Sequence, residues 1–277
     1  MPPDELAEII GRCPLCSDFG SVIFPISDDD RHLMHPAWVT IILLAANVVV
    51  FLLQLADPSL TPGWSVIPAE ITHGEDLTRD ILVRTGREVV RIPQAPGPTP
   101  IYLTLFSAMF MHGGWAHIGG NMLYLWIFGD NVEHRFGGLK FLAFYLVSGI
   151  VATFAQIATN PEGLIPNLGA SGAISGVLGA YLVLFPRNKV NAVFFFRIVS
   201  LPAVFVIGMW AFTQFINGAG SIAVTEQTGG GVAYAAHIGG FIAGVVMAAF
   251  ARMTMKSEPR SVFRRIYEEE PGVRRYW

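Results

Sequence analysis

Charge is scarce in this sequence. Asp, Glu, Lys and Arg make up 14% of its 277 residues, against about 25% in an ordinary soluble domain. Hydrophobic residues reach 52%, more than a soluble chain of this length can bury in one core. The shortage argues against a soluble enzyme, a nucleic-acid binder and a disordered chain. A net charge of −3 and a pI near 6.2 supply no basic field, so no nucleic-acid partner is expected. Cysteine is scarcer still: Cys13 and Cys16 alone, too few for a disulfide-built secreted scaffold. The class that remains is a multi-spanning membrane protein, with the lipid bilayer as its surroundings.

Charge-poor apolar runs of about 18 residues or more read as transmembrane helices. Such runs cover 38–56, about 115–132, 139–158, 201–217 and 232–251, with a shorter one at 171–185. The segment 57–100 holds seven of the eighteen prolines and reads as a long extramembrane loop, with short amphipathic pieces around Ile81 to Ile92. The run at 38–56 does not read as a removable signal peptide, because it follows 37 polar-rich residues and lacks a small-residue cleavage site. The expected organisation is an extension over 1–37, a six-helix membrane domain over 38–252 and a charged tail over 253–277. Alternate compartments then receive fourteen and four Lys and Arg residues. The richer side is expected to be the cytoplasm. Both termini would lie there, the long first loop would be extracytoplasmic, and a bacterial cytoplasmic membrane is the expected location.

Polar groups inside spans are costly and usually face the bundle interior. Three clusters stand out: His112, His117 and Asn121 at the start of the second span; Ser171 within Gly169-Ala170-Ser171-Gly172 at the start of the fourth; and His237 near the start of the sixth. Spans two, four and six run in the same direction, so the clusters can share one depth below the outer surface. The fourth span is short. Its fifteen residues rise roughly 22 Å, against a hydrocarbon core about 30 Å thick. A helix start below the surface is tolerated where it is buried in protein or lines a water-filled cavity. A serine there sits beside unpaired backbone N–H donors, which can stabilise an oxyanion. Serine needs a base to become a nucleophile, and neutral histidine suits that role. His117 and Asn121, four apart, share a helix face and can donate to the oxyanion. Asp130 and Glu133 fall at the wrong depth, so the reading is a Ser–His dyad without an acidic third member.

Other readings of the same residues stand beside this one. Gly172 with Gly176, and Gly240 with Gly244, are small-xxx-small pairs that serve close helix packing. His237, His117 and Asn121 are also compatible with interhelical hydrogen bonding, and His112 with anchoring a loop at the interface. Glu133 and Arg135 read as ties between the second span and its neighbours. Cys13-Pro14-Leu15-Cys16 resembles half a zinc site, with His32 and His35 nearby, but a bland polar extension is favoured and no metal or cofactor is expected.

Taken together, His112, His117-x-x-x-Asn121, Glu133-x-Arg135, Gly169-Ala170-Ser171-Gly172 and Ala236-His237 with Gly240 and Gly244 resemble the rhomboid intramembrane serine proteases, over roughly Phe24 to Arg252. The resemblance implies an all-α bundle of six transmembrane helices. It implies Ser171 as nucleophile and His237 as general base. It also implies that His117, Asn121 and the Ser171 N–H stabilise the oxyanion. Gly169 would shape the loop entering the fourth helix, Gly240 and Gly244 would let the sixth approach the fourth, and Glu133 and Arg135 would be structural. The implied substrates are transmembrane proteins, cleaved without a cofactor. Three features depart from the family pattern. Leu103-Thr104 replaces a frequent Trp-Arg pair, Ser175 replaces an aromatic residue that often stacks on the catalytic histidine, and the first loop is longer. A non-catalytic relative that binds transmembrane helices is the alternative. A transporter would call for inverted repeats and mid-membrane charges, and neither is apparent.

Overall fold

Apolar runs with few charges satisfy their own backbone polar groups by coiling into helices, and six long helices dominate the computed structural model. They are α1 (Trp38–Ala56), α2 (Trp115–Phe136), α3 (Gly138–Thr159), α4 (Ser171–Leu184), α5 (Ala203–Ala223) and α6 (Tyr234–Thr254). The structure describes residues 24–28, 36–85, 88–194, 197–223 and 233–254. Cys13, Cys16, His32 and His35, and the tail after residue 254, lie outside the described residues. Among the described residues three helices (α1, α3 and α6) are each long and apolar enough to cross a membrane.

The packing is inverted relative to a soluble protein. On α1 the buried positions include Thr40, Asn47 and Gln54, while Ile42, Val49, Leu52 and Leu53 are exposed. Phe212 and Ile216 of α5, and Val246 and Phe250 of α6, are likewise exposed. A continuous apolar exterior over a partly polar interior is the arrangement a lipid environment stabilises.

The central element is α4. Every residue from Ser171 to Tyr181 is buried, and its 14 residues span about 21 Å. Small residues make this burial possible. A Cβ on Gly240 would overlap the Gly172 carbonyl oxygen, and one on Gly244 the Gly176 carbonyl oxygen. Thus α6 runs parallel to α4 with the two backbones in contact. On the other side Gly176 meets Ser148 and Gly172 meets Ala152, so α3 runs antiparallel to α4. The contacts of Gly169 with His117 and of Tyr181 with Phe128 place α2 parallel to α4.

Expectation and structure differ over the fold being all-α. Among the described residues there are five strands: β1 (Phe24–Ser27), β2 (Ile81–Thr85), β3 (Glu88–Ile92), β4 (Lys189–Phe194) and β5 (Arg197–Pro202). Strands β2 and β3 form an antiparallel hairpin where amphipathic pieces were expected. Strands β1, β4 and β5 form an antiparallel sheet in that order. Both hairpins are rich in Val and Ile, whose branched side chains fit a pleated surface. Leu201 and Pro202 belong to β5, so α5 starts at Ala203, two residues later than the apolar run suggested.

The long first loop is ordered against the segment that leads into α4. Val66 and Asn167 exchange backbone hydrogen bonds of 3.0 and 2.7 Å, and the Ala69 N–H donates to the Gly163 carbonyl at 3.1 Å. The turn that carries Ala108 accepts from the Gly169 N–H at 2.8 Å.

Candidate active site

The site sits where α2, α4 and α6 begin. Because these helices are parallel, their first turns lie at one end of the bundle. Ser171 is the first residue of α4, His117 the third of α2 and His237 the fourth of α6. Ser171 and His237 are both buried, at 9% and 2% exposure.

Gly169 joins two of these positions. Its φ of +130° belongs to the region that favours glycine. A Cβ there would stand 2.8 Å from His117 Nε2 and 3.6 Å from Ser171 Oγ. The imidazole and the hydroxyl therefore face the same small space, which only the missing side chain keeps open. The Gly113 N–H donates to His117 Nδ1 at 3.2 Å. That bond requires Nδ1 to be unprotonated, so the neutral ring carries its proton on Nε2, the nitrogen beside Gly169. One turn further along α2, Asn121 is fully buried and neither polar atom of its carboxamide is hydrogen-bonded among the described residues. A buried amide without partners is costly, and a ligand oxygen would relieve it.

His237 reaches the site from α6. Its Nδ1 lies 2.7 Å from Gln214 Oε1 on α5. The Trp210 ring packs beside it, with centroids 6.1 Å apart. Ser171 and His237 do not hydrogen-bond directly. The helices that carry them touch at Gly172 and Ala236, the residues adjoining each. Catalytic hydrogen bonds often tighten only once substrate is bound. A cavity of about 40 Å³ opens beside Ser171, lined by Met109, Gly149, Ala152, Gln156, Gly169 and Ala236 among others.

His112 stands behind His117, with ring centroids 5.1 Å apart at 71°. Its backbone is clamped by α1: Gln54 Oε1 accepts from the His112 N–H at 2.9 Å, and Gln54 Nε2 donates to the His112 carbonyl at 3.2 Å. Gln54 thus fixes the loop entering α2, in a chain that has Leu103-Thr104 instead of Trp-Arg. Neither Gln54 nor Gln214 stood among the residues singled out in the sequence. The available signal was a strongly polar side chain inside an apolar run. Glu133 is remote from the site. It accepts from the Val39 N–H (3.0 Å), the Thr40 N–H (2.7 Å) and the Thr40 hydroxyl (2.8 Å) at the start of α1. Arg135 lies on the same final turns of α2, also away from Ser171.

Two groups of the first loop are raised above their ordinary values. Burial pushes the Glu70 carboxyl up to about 7, against a bond from the Leu77 N–H that lowers it. The exposed His73 imidazole is raised by its hydrogen bond to Glu162, 2.9 Å long, which ties this loop to the one before α4. Among the described residues no cluster of His, Cys, Asp and Glu could hold a metal ion.

The chain is similar to known proteins. The family model described as the Rhomboid domain matches residues 100–254, more than half of the chain. The chain belongs to the rhomboid family. This rhomboid is 32% identical over 180 residues to the Bacillus subtilis (strain 168) protein "Rhomboid protease GluP", a match covering 65% of the chain and 31% of that protein. It is 29% identical over 163 residues to Arabidopsis thaliana "RHOMBOID-like protein 5", covering 53% and 50% of the two chains. The Saccharomyces cerevisiae protein "Rhomboid protein 1, mitochondrial" is 32% identical over 149 residues, covering 52% and 40%. The chain spans half or less of the length of these curated relatives. Its mostly helical fold and apolar exterior are those of a membrane protein of this family.

Proposed function

We propose that this rhomboid is an intramembrane serine endopeptidase that cleaves transmembrane segments of other proteins. The observation that carries the reading is Gly169: it brings His117 Nε2 and Ser171 Oγ to one space, at the end of the bundle where His237 also enters. On this reading all six long helices cross the membrane, both termini face the cytoplasm, and the loop over 57–100 covers the outer end.

The chemistry follows from the atoms in place. Ser171 Oγ attacks the scissile carbonyl carbon while His237 Nε2 takes its proton. The new oxyanion accepts from His117 Nε2–H, the Asn121 carboxamide and the Ser171 N–H. The start of α4, with its unpaired N–H groups, adds to that stabilisation. Collapse expels the amine, which receives the proton from His237, and leaves an acyl-enzyme on Ser171. Water, deprotonated by His237, then attacks the acyl carbon; the acid leaves as His237 returns the proton to Ser171 Oγ. The steps require no cofactor. His112, Gly172, Gly240 and Gly244 support the geometry without touching reacting atoms. Glu133 and Arg135 act at the opposite end as structural residues.

The name of the Bacillus relative, a rhomboid protease, agrees with this reading. A serine-reactive phosphonate, mapped by peptide mass spectrometry, tests it. Labelling is expected at Ser171 and is expected to vanish in His237→Ala. Equal labelling of wild type and His237→Ala would count against the dyad. A non-catalytic helix binder would bind a transmembrane peptide equally well with and without Ser171 and would show no labelling there.

A further inference from the structure

A Ser–His dyad asks for more than two residues, and the role of a third rests on the dyad itself being correct. Neutral imidazole serves as a base only when its proton sits on the nitrogen away from the nucleophile. A third group commonly fixes that choice. Among the described residues no carboxylate is bonded to the His237 ring, and Glu133 is engaged with Val39 and Thr40 at the far end of α2. Nor does a ring stack from the fourth position after Ser171. That position is Ser175, whose hydroxyl donates to the Ser171 carbonyl at 2.7 Å.

We propose that Gln214 is the positioning residue of this site: from α5, its carboxamide oxygen holds the His237 proton on Nδ1 and leaves Nε2 free as the base for Ser171. The two atoms are 2.7 Å apart. Both residues are buried, at 1% and 2% exposure, so the pair is shielded from bulk water. Trp210, one turn earlier on α5, walls the ring on the same side. One helix therefore supplies both the wall and the acceptor that the substitution at Ser175 leaves unprovided. A carboxamide does this without placing a second charge in an apolar interior, where a carboxylate would be costly. The titratable group that faces His237 from the packed helices is His117 on α2. Gln214 of α5 is neutral, as is Gln156 of α3, which accepts from the N–H of the adjoining Ala236 at 3.2 Å.

The test pairs a spectroscopic readout with kinetics in the full-length protein. In ¹⁵N-histidine spectra assigned by subtraction of His237→Ala, the His237 ring is expected as the Nδ1–H tautomer. An Nε2–H tautomer in wild type would overturn the proposal. Gln214→Leu is expected to lower kcat on a single-span reporter substrate about 10- to 100-fold with KM little changed. Gln214→Glu restores an acceptor. It should recover at least about tenfold over Gln214→Leu. Its carboxylate favours the imidazolium, so the acidic limb of kcat/KM should move to higher pH. Wild-type kcat in a normally melting Gln214→Leu protein, with Ser171→Ala inactive, would defeat the role of Gln214 and leave the dyad standing. Activity in Ser171→Ala would defeat the dyad itself, while the tautomer spectrum would still report on Gln214. Should Gln214→Leu fail to fold, Gln214→Glu and the wild-type spectrum decide the matter.

Discussion

Thr40 gives Glu133 two hydrogen bonds, one from its backbone N–H at 2.7 Å and one from its hydroxyl at 2.8 Å. With the bond from the Val39 N–H, they satisfy the open start of α1, whose own N-cap residue, Ala37, has no side chain able to do so. Glu133→Ala should therefore destabilise the protein by about 2–3 kcal/mol, since three hydrogen bonds are lost from a buried site. Thermal unfolding in detergent measures this. Activity per folded molecule should change little, because Glu133 is remote from Ser171.

The contact between α4 and α6 has no room for a methyl group. Gly240→Ala and Gly244→Ala each press a Cβ on a carbonyl oxygen of α4. Each should cost about 1–3 kcal/mol and lower activity by moving His237 away from Ser171. Gly208→Ala on α5 is the control, because a Cβ there meets nothing within 4 Å. It should be neutral, or stabilising by about 0.5–1 kcal/mol. Melting temperatures and reporter cleavage of the three variants check both statements together.

Gly169→Ala should cost activity beyond its cost in stability. The new methyl group would fall 2.8 Å from His117 Nε2, in a backbone conformation with φ +130°. Strain of this kind costs about 1–3 kcal/mol. Displacement of an oxyanion donor should lower kcat by about 10²-fold or more. A variant that melts below wild type but is still folded at the assay temperature, and whose folded fraction cleaves poorly, is the expected outcome, read from melting curves and kcat.

Glu70 makes the covering loop sensitive to pH. Its carboxyl is raised from its ordinary value to about 7 in the folded state, so the folded protein holds this proton more tightly than the unfolded chain. The associated stability is present below the unfolded value and is lost as pH rises through about 7. Glu70→Gln keeps an acceptor for the Leu77 N–H and removes the titration. Its melting temperature should match wild type near pH 4 and exceed it near pH 8. Parallel melting curves for the two proteins across that range would contradict the assignment.

Much of this arrangement was legible in the sequence. Helices begin at Trp38, Trp115 and Ser171, where the charge-poor runs begin. The placement of Ser171, His117 and His237 at the starts of three parallel helices follows from spacing and alternation of direction. What escaped has physical reasons. The strands over Lys189–Phe194 and Arg197–Pro202 alternate too briefly to stand out in a search for spans. Gln54 and Gln214 are single polar residues inside apolar helices. Their partners, the His112 backbone and the His237 ring, lie 58 and 23 residues away. Only tertiary packing brings those groups together, so sequence marks the glutamines as unusual without saying what they hold.

Everything proposed for the site turns on Ser171 and His237 hydrolysing a peptide bond together within the membrane. The decisive experiment is cleavage of a single-span reporter protein by the purified chain in liposomes, comparing wild type with Ser171→Ala and His237→Ala. Cleavage by wild type and none by either variant is expected. Undiminished cleavage by either variant would show that the dyad is not the catalyst.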